Sequence, residues 1–106
     1  SPRLSTKLAG VILFSMEMRA SHILVKDKAL ADRLLAQIKR GARFDSLAKE
    51  FSTCPSKSKG GDLGWFGEGK MVKEFEAATL RMSVGSVSKV VKTQFGYHII
   101  KKTGQR

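Results

Sequence analysis

Apolar residues recur at helical spacing in three segments of the chain. The first segment predicts an amphipathic helix over residues 28–40, with Asp27 as its N-cap and Gly41 just beyond its end. A second helix is predicted directly after Gly41, and a third is predicted to end near Leu80. The apolar positions of the three segments are Leu30, Leu34, Leu35 and Ile38, then Phe44, Leu47, Ala48 and Phe51, then Met71, Phe75, Ala78 and, just beyond the predicted helix end, Met82.

Runs of strand-forming residues lie before, between and after these helices. Residues 20–25 alternate, so that His22 shares one side with Leu24 and opposes Ile23 and Val25. A short strand is predicted over residues 62–66, inside a glycine-rich loop, and two β-branched runs over 87–92 and 97–101 flank a turn at 94–96. The last two runs are close enough to pair as an antiparallel hairpin. Four strands with helices packed over them predict an α+β domain.

Length and composition limit the chain to a single domain. It has 106 residues, 42% of them apolar, which is enough for one modest core and argues against a disordered basic tail. No apolar run approaches the roughly 20 residues that a membrane span requires. With one cysteine there is no intrachain disulfide, which favours a cytoplasmic protein, or an envelope or organelle protein if the chain is part of a longer one.

The N-terminal residues 1–18 show no period and contain an apolar run at 8–14. We interpret them as an extension, namely a tag, a processed end, a fragment of a longer chain or the tail of a signal-peptide hydrophobic region, with a native packing strand as the alternative. The remaining domain is predicted to span residues 19–103.

Charge is distributed unevenly along the chain. The net charge is +11, yet residues 61–80 carry four acidic and two basic side chains, and residues 81–106 carry six basic ones and no acidic one. The excess supports weak, non-specific contact with nucleic acid, although basic residues are scattered and no known nucleic-acid motif is present. The local acidity of 61–80 predicts that positive charge surrounds any groove formed there and does not line it.

Three side chains are candidates for chemistry. His22 and His98 lie on the first and last predicted strands, where a histidine is most often a hydrogen-bonded core residue, and Cys54 follows the second helix. If Cys54 faced a histidine, it could serve as a thiolate nucleophile or complete a His2Cys metal site. No CxxC or HExxH spacing supports a metal, so neither metal nor cofactor is predicted. The glycines at 60–69 match no phosphate-binding motif and are interpreted as turns.

Apolar residues around the third helix allow two interpretations. Leu63, Phe66, Met71 and Phe75 could form ordinary core. A flexible thioether beside an aromatic ring also suits a shallow pocket for a small apolar ring such as that of proline.

Five segments together resemble the parvulin family of peptidyl-prolyl cis/trans isomerases, and small single-domain bacterial parvulins most closely. They occur in family order and at family-like spacing over residues 18–103. The segments are ASHILV at 20–25, FSTCPS at 51–56, GGDLGWF at 60–66, GKMVKEF at 69–75 and TQFGYHII at 93–100.

The resemblance implies a fold, a site and an activity. The fold is a four-stranded antiparallel sheet surrounded by about four helices, an FKBP-like arrangement, with the extra helix a short turn near residues 55–59. The activity is rotation of X–Pro bonds in unfolded or partly folded polypeptides, which assists folding. The implied catalytic residues are His22, Cys54, Thr93 and His98, and the implied proline-binding residues are Leu63, Met71, Phe75 and, at the pocket edge, Phe95.

One departure from the family bears on substrate choice. Parvulins that require phosphoserine or phosphothreonine carry a long basic loop after the first strand, whereas here Val25 leads through Lys26 and Asp27 directly into the helix. A single lysine is a weak phosphate site compared with an arginine cluster, so no phosphate requirement is expected. Proline-containing polypeptides are the expected partners of a monomeric chain. The rival interpretations are a nucleic-acid-binding module and a holdase chaperone that binds unfolded chains without turnover.

Overall fold

The computed structural model describes residues 16–106, and the apolar run at 8–14 lies outside the described residues. A short 3₁₀ helix, Pro55–Lys59, occupies the position at which the resemblance implies an extra helical turn. The other elements are, in chain order, β1 (Met18–Val25), α1 (Lys28–Lys39), α2 (Phe44–Phe51), β2 (Asp62–Phe66), α3 (Lys73–Leu80), β3 (Val91–Thr93) and β4 (Gly96–Gln105).

The four strands form one antiparallel sheet in the order β2-β1-β4-β3. The first and last strands of the chain are therefore the two central ones, and His22 pairs with Ile100 while Leu24 pairs with His98. This register places His22 and His98 diagonally across neighbouring strands on the same face of the sheet. The predicted α+β fold with an interior position for both histidines is confirmed.

Alternation along β1 and β4 separates two cores. Ile23, Val25 and Ile99 face α1 and α2 and belong to the larger core. The smaller core lies on the opposite face, under α3, and its buried members are Met18, Ala20, Phe66, Phe75 and Ile100. The smaller core and the two histidines thus occupy the face that α3 covers.

Helix α1 agrees closely with its prediction. The carboxylate of Asp27 accepts a hydrogen bond from the backbone of Ala29 at 3.1 Å, as an N-cap does. Helix α3 begins later than its apolar pattern suggested, because Val72 is extended with ψ 152° and serves as the N-cap. Met71 therefore precedes the helix and Met82 follows it, although both pack against the smaller core.

The predicted strand over 87–92 is wrong in length. Regular pairing covers only Val91–Thr93, and Val87 makes an isolated bridge to Lys101. The side chain of Ser88 explains the interruption, since its hydroxyl donates to the carbonyl of Lys89 at 2.6 Å and accepts the backbone N–H of Ile100 at 3.1 Å. Strand β4 is longer than predicted and continues to Gln105, while the domain limits of 19 and 103 stay a prediction.

Lys102 is the largest of the fully buried side chains, with 1% of its surface exposed. Its ammonium group donates to the carbonyl of Met82 at 3.0 Å and to the side chain of Gln105 at 2.6 Å. Burial lowers the pKa of this lysine. The contact fastens the segment after α3 to the centre of the sheet.

Among residues 16–106, no helix is both long enough and apolar enough to cross a bilayer.

Candidate active site

A pair of buried histidines lies at the centre of the face under α3. Nδ1 of His22 lies 2.9 Å from Nδ1 of His98, and the two rings stack with an interplanar angle of 28°. Both side chains are nearly excluded from solvent, at 5% and 4% exposure. The Phe75 ring makes T-shaped contacts with both imidazoles, with centroid distances of 5.6 and 5.5 Å. Helix α3 therefore holds the pair against the sheet.

Thr93 extends the histidine pair into a hydrogen-bonded chain. Its hydroxyl lies 2.7 Å from Nε2 of His98 and accepts the backbone N–H of Phe95 at 3.1 Å. The arrangement that satisfies the most atoms has the Thr93 hydroxyl donating to His98 Nε2 and His98 Nδ1–H donating to His22. The remaining hydrogen is then on Nε2 of His22, the one buried side-chain polar atom in residues 16–106 that lacks a partner.

Burial keeps both histidines uncharged at neutral pH. It lowers the pKa of His22 from 6.5 to about 4, with a smaller contribution from the charge of His98, and it also lowers the pKa of His98. The unpartnered Nε2 of His22 also favours the neutral form of this histidine. A buried N–H without a partner is costly, and it is more costly when the ring carries a charge. The pair therefore provides neutral hydrogen-bonding groups and is not a cationic centre.

Cys54 is held near the histidines by two serines that the sequence analysis did not single out. The hydroxyl of buried Ser52 accepts the backbone N–H of Leu24 at 3.0 Å and that of Cys54 at 3.4 Å, which ties the end of α2 to β1. The hydroxyl of Ser56, in the 3₁₀ helix, donates to Sγ of Cys54 at 3.2 Å. The sequence pattern that could have indicated these contacts is a serine two residues before Cys54 and another two residues after it.

The two histidines, Cys54 and Phe75 line one cavity of about 600 Å³. Its walls are mainly apolar. The residues lining it are His22, Leu24, Lys26, Thr53, Cys54, Pro55, Leu63, Lys70, Met71, Val72, Phe75, Phe95 and His98. Seven of the eight predicted site residues line the cavity, and Thr93 lies behind it, bonded to His98. How each of them acts stays a prediction.

The expected charge distribution is wrong in one respect. Lys26 and Lys70 both line the cavity, whereas none of the carboxylates within residues 16–106 does. Lys70 belongs to the locally acidic stretch 61–80, and local net charge does not determine which individual side chain faces a cavity. Within residues 16–106 no three metal-binding side chains come together.

The fold and this constellation define a parvulin-type domain. The whole range 3–106 matches the family model of the PPIC-type PPIase domain, and the chain belongs to that family of peptidyl-prolyl cis/trans isomerases. The predicted family and enzyme class are thereby confirmed. The alternative functions, a nucleic-acid-binding module or a holdase chaperone, are not favoured by this match.

Several relatives are named as foldases or parvulins. Foldase protein PrsA of Geobacillus kaustophilus is 57% identical over 91 residues, which make up 85% of this chain and 32% of that protein. The crystal structure of PrsA from Bacillus subtilis superposes with a TM-score of 0.80 at 55% identity, covering 83% of this chain and 35% of that one. NmPin, the parvulin of Nitrosopumilus maritimus, has a TM-score of 0.76 at 44% identity, covering 86% of this chain and 99% of that one. The chain thus spans about a third of the PrsA proteins and nearly all of NmPin.

Proposed function

We propose that the described cavity binds proline and accelerates rotation about X–Pro bonds in unfolded or partly folded polypeptides. The observation that carries this proposal is the placement of an uncharged histidine pair at an apolar cavity walled by Leu63, Met71 and Phe75. The cavity is large enough for a proline ring together with the peptide group before it. Relatives named foldase support an action on folding chains.

The physics of the reaction requires little covalent chemistry. Rotation of an X–Pro bond faces a barrier of about 18–20 kcal/mol because amide resonance is lost, while cis and trans differ by only about 0.5–1 kcal/mol. A twisted amide is less charge-separated than a planar one, so an apolar site without a charged histidine favours it. Holding the ring between Met71 and Phe75 while the preceding carbonyl turns would bind the twisted form better than either planar form.

Cys54 has a polar, non-covalent role in this proposal. Attack of its sulfur on the substrate carbonyl would remove the double-bond character, but rotation requires no acid–base step and no covalent intermediate. The hydroxyl of Ser56 donates to the sulfur, so the sulfur already accepts a hydrogen bond within the protein. We therefore assign to Cys54, with His22 and His98, the polarity and hydrogen bonding around the turning carbonyl.

A matched pair of methionine variants tests the binding role of the cavity. Met71 lines the cavity, whereas Met82 packs against the same core without lining it, and both are half-buried. Met71→Ala should lower kcat/KM for a proline peptide by about tenfold, and Met82→Ala should leave it within about twofold. Equal losses in the two variants, at equal stability, would remove the support for a proline-binding role.

Substrate charge before the proline should have a modest influence. Lys26 and Lys70 are exposed at the cavity and are single, flexible cations, in contrast to a planar guanidinium cluster that binds phosphate through several bonds. We expect no requirement for a phosphate, with a phosphoserine-proline peptide gaining no more than about fivefold over a glutamate-proline peptide. A gain of about a hundredfold would show a dedicated phosphate site.

The wider properties of the protein follow as proposals. We propose a monomer that acts on proline-containing polypeptides in the cytoplasm, or in the envelope if the chain belongs to a longer protein. Weak binding of nucleic acid would follow from the net charge of +11 alone and should fall steeply with salt. A holdase would bind unfolded chains without changing the X–Pro exchange rate, which separates it from an isomerase.

A further inference from the structure

A second groove lies on the face of the sheet opposite the histidine pair, between α1 and the β3–β4 hairpin. Its volume is about 560 Å³. Side chains alternate across the hairpin, so that Thr93 and His98 serve the cavity while their neighbours Lys92 and Tyr97 line this groove. We call it the lysine groove, and its lining residues are Lys28, Asp32, Leu35, Lys89, Val90, Lys92 and Tyr97.

The lysine groove combines an apolar floor with a positively charged rim. Leu35, Val90 and Tyr97 are half-buried and pack against the larger core. Lys89 and Lys92 are exposed, and within residues 16–106 neither is within 4.0 Å of a carboxylate. The groove therefore presents uncompensated positive charge beside apolar surface.

The remaining charges of the groove do not cancel this excess. Lys28 forms an exposed pair with Asp32 at 3.0 Å, one turn apart on α1, and Asp32 is the single acidic residue of the lining. The ammonium of Lys92 lies 6.0 Å from the centroid of the Tyr97 ring, the outer limit of a cation–π contact, so it is available to a ligand.

We propose that the lysine groove binds an acidic, extended segment of the polypeptide substrate, with glutamate or aspartate residues alternating with aliphatic ones. In such a segment the aliphatic side chains would lie on Leu35 and Val90, and the carboxylates would face the lysines. Strand β3 is at the edge of the sheet, which leaves one side of its backbone without a neighbouring strand. The aliphatic floor favours a peptide over nucleobases, which stack on exposed aromatic faces.

This proposal rests on the proposed function only in naming a polypeptide substrate as the source of the segment. Because the groove and the cavity lie on opposite faces of the hairpin, an occupant of the groove leaves the cavity free. A client could then be retained at the groove while a proline elsewhere in its chain turns in the cavity. Such retention would raise the local concentration of prolines.

The test uses the 106-residue chain labelled with ¹⁵N and a proline-free peptide in which glutamate alternates with leucine. The peptide should shift the amide signals of Leu35, residues 89–92 and Tyr97, and its affinity should fall about tenfold in the double variant Lys89→Glu with Lys92→Glu. The control is Lys57→Glu with Lys59→Glu, which makes the same charge change on the exposed 3₁₀ helix. Both variants should isomerise a short uncharged proline peptide as the original chain does.

Four outcomes would overturn the proposal. These are an equal loss of affinity in both variants, equal binding of a peptide with glutamine in place of glutamate, tighter binding of an oligonucleotide at the same amides, and no shift at millimolar peptide. In the last case the lysines would serve only to prevent strand pairing at the sheet edge. Peptide binding at the lysine groove without any isomerase activity would contradict the proposed function but would still support peptide binding by the groove.

Discussion

Acid should destabilise the fold through the histidine pair. Burial lowers the pKa of His22 from 6.5 to about 4, so the unfolded chain binds a proton more readily than the folded one between these values. The stabilisation is therefore complete above pH 6.5 and is lost as the pH falls toward 4. At about 1.4 kcal/mol per pKa unit, the full effect is about 3 kcal/mol, and at pH 5 about 2 kcal/mol is lost. His98, whose pKa is also lowered, adds to the loss.

Histidine is the side chain whose ordinary pKa lies between pH 5 and pH 7.5. The chain contains two histidines, both in the pair, and arginine contacts hold the pKa values of Asp45 and Asp62 below 3.8, so these carboxylates stay charged at pH 5. The change in stability between pH 7.5 and pH 5 therefore reports mainly on His22 and His98.

Urea unfolding measures the effect directly. Trp65 is the single tryptophan and is 38% exposed, so its fluorescence should follow unfolding. The free energy of unfolding should fall by at least about 2 kcal/mol from pH 7.5 to pH 5 at constant m-value. His22→Asn should reduce that difference, whatever its effect at pH 7.5. A loss below about 0.5 kcal/mol in the original chain, or an equal loss in the variant, would refute the neutral buried pair.

Three substitutions test other parts of the account. Cys54→Ala should keep turnover within about tenfold of the original chain in a peptide isomerisation assay, and complete loss in a folded variant would make covalent attack obligatory. Gly61→Ala should cost more than about 2 kcal/mol, because φ is +89° and a new Cβ would meet the carbonyl oxygen of His22, whereas Gly67→Ala meets open space and should change stability little; similar melting curves would contradict this. Lys102→Met should destabilise by about 1–3 kcal/mol in urea, and no change would show that its two hydrogen bonds contribute nothing.

The sequence predicted element types better than element ends. Alternation along residues 20–25 correctly placed His22 and Ile23 on opposite faces of the strand. Each face of this strand packs against a different core, so a shift by one residue would move every side chain to the wrong core. The late start of β3 could not be predicted, because it depends on the Ser88 hydroxyl taking the place of a backbone acceptor for Ile100. This hydrogen bond forms only when strand β4, which carries Ile100, lies beside Ser88.

For the site, too, the identity of the residues could be predicted, whereas their contacts depend on the folded structure. The family resemblance brought eight separated residues into one site, and the structure places seven of them around one cavity and Thr93 behind His98. Periodicity alone had put Met71 on helix α3, whereas an extended Val72 precedes the helix and leaves Met71 in the preceding turn. The roles of Ser52 and Ser56 depend on contacts across the fold or within a turn, which single-residue patterns do not reveal.

The exchange rate of an alanine-proline peptide tests the central claim most directly. Two-dimensional exchange NMR with the chain present at a small fraction of the peptide concentration reports cis–trans interconversion without a coupled protease. We predict cis–trans exchange on the subsecond scale, against tens of seconds or more without the protein, and a marked reduction of this acceleration in Met71→Ala. Peptide binding with an unchanged exchange rate would contradict isomerisation in this cavity and would indicate a holdase.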